Sequence, residues 1–120
     1  MSNSRKSLKK LRAIAYKKQG GLCYYCKLPM WIENPSEFTE KHNLSISQAR
    51  LFQCTGEHLK AHCSGGAASI KNIVAACFYC NQHRHRRNSD LSPQEYKRLV
   101  HSRLVNGRWN SQLFPQNRLY

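Results

Sequence analysis

Apolar residues in the first part of the chain recur at the spacing of an α-helix. Residues 7–19, SLKKLRAIAYKKQ, place three apolar side chains on one face and basic side chains on the other; the apolar three are Leu8, Leu11 and Ala15. Ser7 is a candidate cap for this helix, and Gly20-Gly21 provides a stop signal. The pattern predicts a basic amphipathic helix near the N-terminus.

A second helical pattern covers residues 92–105, SPQEYKRLVHSRLV. Ser92 and Glu95 form a capping box, Pro93 occupies the first helical position, and Asn106-Gly107 ends the segment. We expect its apolar stripe to pack on the core; the stripe consists of Tyr96, Leu99, Val100 and Leu104. The following tail, RWNSQLFPQNRLY, has no decisive pattern.

The middle of the chain alternates short apolar segments with polar turns. Residues 51–59, LFQCTGEHL, and residues 73–77, IVAAC, predict two short strands, and residues 78–88, FYCNQHRHRRN, predict a strongly basic helix. Residues 27–53 form a long connection, with a short helix predicted at 44–51. These elements predict one small α+β domain.

The chain is strongly basic, since 20 Lys and Arg against 6 Asp and Glu give a net charge of +14. This charge favours nucleic acid as the partner over an anionic membrane surface or an acidic protein. No apolar run approaches the roughly 20 residues that span a bilayer, and the basic N-terminus lacks the apolar stretch of a signal peptide. We therefore expect a cytoplasmic protein without membrane contact.

Four of the six cysteines form two C-x2-C pairs, Cys23–Cys26 and Cys77–Cys80. In a reducing compartment such pairs favour metal binding over disulfides. Each short turn presents two sulfur atoms to one ion, and four thiolates suit tetrahedral Zn²⁺. We interpret the four residues as a structural zinc site, with four buried or redox-active cysteines as the alternative.

Further polar residues follow a fixed order around these pairs. Glu57-His58 precedes Gly65-Gly66, Asn72 comes next, and Asn81 directly follows the second pair. With the two pairs, this order resembles the HNH endonuclease motif, C-x2-C, [DE]-H, G-G, N-[IL] and C-x2-C-N, over about residues 23–87. The resemblance implies a ββα-metal core, stapled by the four-cysteine zinc site and flanked by N- and C-terminal helices. The single domain then comprises a basic helix, a zinc and HNH core, and a helix with a tail, at residues 1–22, 23–88 and 89–120.

The resemblance also implies roles for individual residues in hydrolysing DNA. His58 corresponds to the general base that deprotonates the attacking water, and Asn72 to the residue that orients it. Glu57, which replaces the commoner Asp, and Asn81 correspond to ligands of a catalytic divalent metal, Mg²⁺ or Mn²⁺. His85 lies one helical turn after Asn81 and is a candidate third ligand.

Basic residues of two predicted helices are candidates for contacting phosphate: Lys9, Lys10, Arg12, Arg84, Arg86 and Arg87. His83 is expected to join them rather than the metal. Cys54 and Cys63 could form a second zinc site with His62 and His58, but this would consume the general base, so plain buried thiols are favoured.

The leading hypothesis is a metal-dependent DNA endonuclease. One alternative is a non-catalytic zinc-knuckle module that binds nucleic acid, although a pure binder does not need the combination of Glu57, His58, Asn72 and Asn81. A protein-interaction zinc domain is disfavoured by the charge. The sequence leaves open the substrate form, the recognition sequence and whether the protein is a monomer or a homodimer.

Overall fold

The structure is a computed structural model that describes residues 3–60, 71–86 and 91–114, with side chains from residue 8 onward. Helices α1, α2 and α3 precede strands β1 and β2, and helices α4 and α5 and a 3₁₀ helix follow them. The helices are α1 (Asn3–Lys18), α2 (Ser36–His42), α3 (Ile46–Arg50), α4 (Phe78–Arg86) and α5 (Pro93–Val105). The strands are β1 (Cys54–His58) and β2 (Ile73–Cys77), and the 3₁₀ helix is Trp109–Leu113. Within the described residues, no helix is both long and apolar enough to cross a membrane.

The two strands form an antiparallel hairpin in which Cys54 is opposite Cys77 and His58 is opposite Ile73. The second strand has the predicted bounds. The first is shorter than residues 51–59, because residues 51–53 continue the turn after α3; the Leu51 N–H donates to Gln48 O at 3.1 Å. With α4 following directly, the hairpin and helix confirm the predicted ββα core of a small α+β fold.

Helices α1 and α4 pack on opposite faces of the hairpin. Gly56 faces α1, where an added Cβ atom would lie 3.4 Å from Leu8 Cδ1 and 3.6 Å from Arg12 Cβ. Its neighbours Thr55 and Glu57 point to the other face and bond to side chains of α4. A small residue at position 56 therefore lets α1 lie close to the sheet.

Helix α1 begins at Asn3, so the expectation that Ser7 caps it is wrong: residues 3–6 already adopt helical backbone. The predicted stop is confirmed by φ angles of 66° at Gly20 and 77° at Gly21, a region that favours glycine. Gln19, just past the helix, donates from Nε2 to Ala75 O and accepts from Ala75 N at Oε1, both at 2.9 Å. This amide fixes the end of α1 to the outer edge of β2.

The capping box of α5 is confirmed, because Ser92 Oγ accepts from Glu95 N at 3.1 Å and Glu95 Oε1 accepts from Ser92 N at 2.9 Å. Tyr96 and Val100 of its apolar stripe are fully buried. Helix α2 had no predicted counterpart, because Phe38 is its only buried residue. That ring joins Phe52 and Phe114 in an aromatic cluster, so the C-terminal segment packs against the start of the connection.

Candidate zinc cluster and catalytic site

The sulfur atoms of the two cysteine pairs form one buried cluster. Those of Cys23, Cys26, Cys77 and Cys80 all lie within 4.8 Å of one another, and each residue is at most 1% exposed. The Cys26 and Cys77 sulfurs are 3.9 Å apart, close to the edge of about 3.8 Å in a tetrahedron with Zn–S bonds of about 2.3 Å. The cluster fits a structural zinc ion.

Backbone N–H groups point at the sulfurs, as thiolates require. Cys23 Sγ accepts from Tyr25 N at 3.4 Å and from Cys77 N at 3.3 Å, and Cys77 Sγ accepts from Cys80 N at 3.4 Å. Burial raises the pKa of the Cys77 and Cys80 thiols well above the ordinary value. At Cys23, burial is outweighed by hydrogen bonds from the other cysteines, which lower the pKa of that thiol. A bound cation would stabilise the ionised form of Cys77 and Cys80, which favours a metal site over redox-active thiols.

The C-terminal 3₁₀ helix completes the surroundings of the cluster. Asn110 is fully buried, and its Nδ2 donates to Cys26 Sγ at 3.4 Å and Cys77 Sγ at 3.5 Å. Trp109 Nε1 donates to Cys80 Sγ at 3.3 Å. Sequence analysis missed both residues, because they lie in a tail without a recognisable pattern. The only sequence feature that pointed to them is that each side chain carries an N–H donor.

A buried carboxylate lies between the zinc cluster and α4. The Glu57 side chain is 2% exposed; its Oε2 accepts from Arg84 Nη1 at 2.6 Å and from Tyr25 Oη at 3.1 Å. Its Oε1 lies 3.1 Å from His85 Nε2. The structure thus brings together two residues expected to bind the catalytic metal, Glu57 and His85, and places Arg84 beside them.

Tyr25 connects the carboxylate to the first cysteine pair. Burial, followed by the charge of Glu57, raises the pKa of the Tyr25 phenol far above its ordinary value, so the hydroxyl remains a donor. Its ring packs edge-on against Tyr96 at 4.9 Å between centroids. Sequence analysis also missed Tyr25. Its position between Cys23 and Cys26 does not indicate that it contacts Glu57, which lies 32 residues further along the chain.

Asn81 is one helical turn before His85 on α4 and bonds to β1. Its Nδ2 donates to Thr55 Oγ1 at 2.9 Å, while its Oδ1 is buried and has no hydrogen-bond partner among the described residues. Thr55 and Glu57 share one face of the strand, so Asn81 lies beside the Glu57–His85 pair. A buried carbonyl oxygen without a donor is a group that a cation would satisfy.

His58 is the half-buried last residue of β1, and the backbone directly after it is held by Asn72. Asn72 Oδ1 accepts from Lys60 N at 2.8 Å, and its Nδ2 donates to Lys60 O at 3.1 Å. The Asn72 carbonyl also accepts from Leu59 N at 2.9 Å. Asn72 therefore clamps the segment that follows His58.

The remaining candidates occupy different surroundings. His83 stacks on Tyr79 at 4.0 Å between ring centroids, and its Nδ1 lies 2.8 Å from the Tyr79 carbonyl oxygen, so it faces away from Glu57. Lys9, Lys10 and Arg86 are exposed, Arg12 and Arg84 are half-buried, and Arg87 lies outside the described residues.

Cys54 is a buried thiol beside α1. Burial raises its pKa to about 11, partly opposed by the charge of Arg12. Arg12 Nε is itself buried without a hydrogen-bond partner among the described residues. Cys63 and His62, the other members of the alternative second zinc site, lie outside the described residues, as do Gly65 and Gly66.

One of three comparisons with known proteins supports this arrangement. No curated protein and no solved structure matches the chain. The family model described as HNH endonuclease matches residues 23–87, a span that runs from the first cysteine of the zinc cluster to one residue past α4 and covers more than half of the chain. The chain therefore belongs to the HNH endonuclease family.

Proposed function

We propose that this protein is a metal-dependent endonuclease that hydrolyses phosphodiester bonds in DNA. The proposal is carried by the pairing of Glu57 Oε1 with His85 Nε2 at 3.1 Å within the ββα core. Two ligands of one ion, with bonds of about 2.1 Å and an angle of about 90–110°, lie roughly 3.0–3.4 Å apart. The pair, with the partnerless Asn81 oxygen nearby, fits a divalent metal, Mg²⁺ or Mn²⁺.

In this proposal each residue of the site has a separate role. His58 accepts a proton from the attacking water, because a neutral imidazole is a competent base near neutral pH. Asn72 orients His58 indirectly by clamping Lys60, two residues later. Glu57, His85 and Asn81 would hold the metal, which would act as a Lewis acid on the leaving oxygen.

Positive charge on two elements supports a nucleic-acid substrate. Lys9 and Lys10 are exposed on α1, and Arg86 is exposed on α4; these contacts would position phosphates without reading sequence. Arg12 and Arg87 complete the proposed set, whereas Arg84, which was predicted with them, is instead paired with Glu57. DNA is proposed as the substrate because the chain belongs to an endonuclease family and carries a net charge of +14.

The test is cleavage of supercoiled plasmid with added Mg²⁺ or Mn²⁺. We expect nicked or linear product from the wild type and a loss of at least about 100-fold with His58→Ala, the low end of general-base contributions. Zinc content and circular dichroism should be unchanged. His101→Ala, at an exposed histidine of α5, is the matched control and should cleave like the wild type.

The second candidate is a zinc-stapled module that binds nucleic acid without cutting it. The zinc cluster and the positive charge serve this role equally well. Wild-type protein that binds DNA but produces no cleavage with any divalent metal would establish this candidate and refute the nuclease. The pairing of the buried Glu57 with the exposed His85 favours the nuclease, because a binding module gains nothing from it.

A further inference from the structure

We propose that Arg84 and Tyr25 are positioning residues that make Glu57 a ligand through one oxygen only. As a result, the site binds Mn²⁺ in preference to Mg²⁺, because Mn²⁺ accepts the His85 imidazole as a ligand. This inference rests on the proposed metal site and specifies which ion it selects.

The two oxygens of Glu57 have unequal surroundings. Oε2 receives two donors, Arg84 Nη1 at 2.6 Å and Tyr25 Oη at 3.1 Å. A carboxylate oxygen has about two lone-pair sites, so this oxygen is saturated. Oε1 has the single described partner His85 Nε2 and is the oxygen that remains to bind a metal.

Arg84 is held in place from several sides. Its Nη2 donates to Leu91 O at 3.3 Å, its guanidinium lies 5.9 Å from the centroid of the Tyr25 ring, and its side chain is 15% exposed. Arg84 therefore behaves as a fixed internal cation, unlike the exposed Arg86 on the same helix.

The contacts of Arg84 and Tyr25 with Glu57 determine which atoms are available to bind a metal. Glu57 and Arg84 together carry no net charge, and they leave one carboxylate oxygen beside one imidazole nitrogen. Mg²⁺ prefers oxygen ligands and keeps its water shell, whereas ions of the Irving–Williams series, from Mn²⁺ onward, accept imidazole more readily. Releasing Oε2 would add a second oxygen and reduce this discrimination.

The test measures ion affinities rather than cleavage, using zinc-loaded His58→Ala protein. Mn²⁺ binding is followed by the electron paramagnetic resonance signal of the free ion, and Mg²⁺ binding by competition. Removal of a charge changes the affinity of both divalent ions alike, so the ratio of the Mg²⁺ to the Mn²⁺ dissociation constant reports on the donors. Adding Arg84→Gln should lower this ratio by about tenfold, the lower end of effects at partners of metal ligands.

Two further variants make the test specific. Tyr25→Phe removes one donor to Oε2 and keeps the ring packing, so it should lower the ratio in the same direction, and it serves in place of Arg84→Gln if that variant fails to fold. Arg86→Gln is the matched control and should leave the ratio unchanged. An unchanged ratio in folded Arg84→Gln or Tyr25→Phe would overturn this inference alone. Failure of the parent protein to bind either ion would overturn the metal site, and with it both the inference and the proposed function.

Discussion

Asn110 offers the sharpest test of how the zinc cluster is stabilised, since its side chain reaches two sulfurs from a segment with no sequence motif. Asn110→Ala removes the Nδ2 donor to Cys26 Sγ and Cys77 Sγ, at 3.4 and 3.5 Å. Hydrogen bonds to charged groups contribute about 1.5–3 kcal/mol each. The Asn110 Oδ1 has no hydrogen-bond partner among the described residues, so its deletion offsets part of the loss.

We therefore expect zinc affinity to fall by 10- to 100-fold, or about 1.4–2.7 kcal/mol, the range typical of partners of metal ligands. The dissociation constant is measured by competition with a chromogenic chelator, and circular dichroism with excess zinc checks the fold. Gln112→Ala is the matched control, because Gln112 is exposed on the same 3₁₀ helix and bonds only to Gly107 O among described partners. Equal zinc affinity in the folded Asn110→Ala and control proteins would refute the reasoning.

Four other predictions follow from separate contacts. Cys77→Ser should lose zinc and unfold, as seen by metal analysis and circular dichroism; a folded variant with full zinc content would remove the structural-zinc assignment. Asn72→Ala should lower the free energy of unfolding in urea by about 1 kcal/mol through the two lost bonds to Lys60, and reduce plasmid cleavage while zinc content stays constant. At Gly56, alanine meets only ordinary contacts and should stay within about 0.5 kcal/mol of the wild type, whereas leucine must displace α1 and should cost about 1–3 kcal/mol in the same urea titration. At pH 8, a pKa of about 11 leaves about 0.1% of Cys54 ionised, whereas roughly a quarter of an ordinary thiol is ionised. Alkylation of Cys54, followed by mass spectrometry, should therefore be several hundredfold slower than alkylation of a free thiol. An ordinary rate would contradict the assigned burial.

The parts of the site that the sequence predicted are those encoded by local spacing. The C-x2-C pairs predict the zinc cluster because each pair is a single turn, and the period of residues 92–105 predicts a helix with both caps. The i, i+4 spacing of Asn81 and His85 likewise places both on one face of α4, next to β1.

The parts that the sequence could not predict depend on contacts between distant segments. Tyr25 and Arg84 both bond to Glu57, and no periodicity relates the three. Asn110 reaches Cys26 across 84 positions of the chain. Such donors are recognised only when the fold brings them to a buried charge, because asparagine, tyrosine and arginine are common on surfaces.

The Gln19 side chain bears on how copies of this chain could associate. A two-stranded sheet has two outer edges, and unpaired backbone groups there invite strands from other molecules to add on. Gln19 satisfies both the N–H and the C=O of Ala75 on one edge, and on the other edge Trp31 O accepts from Cys54 N at 2.8 Å. Both edges are thus occupied at these positions by the chain's own groups, which disfavours association of two copies by strand addition at these edges.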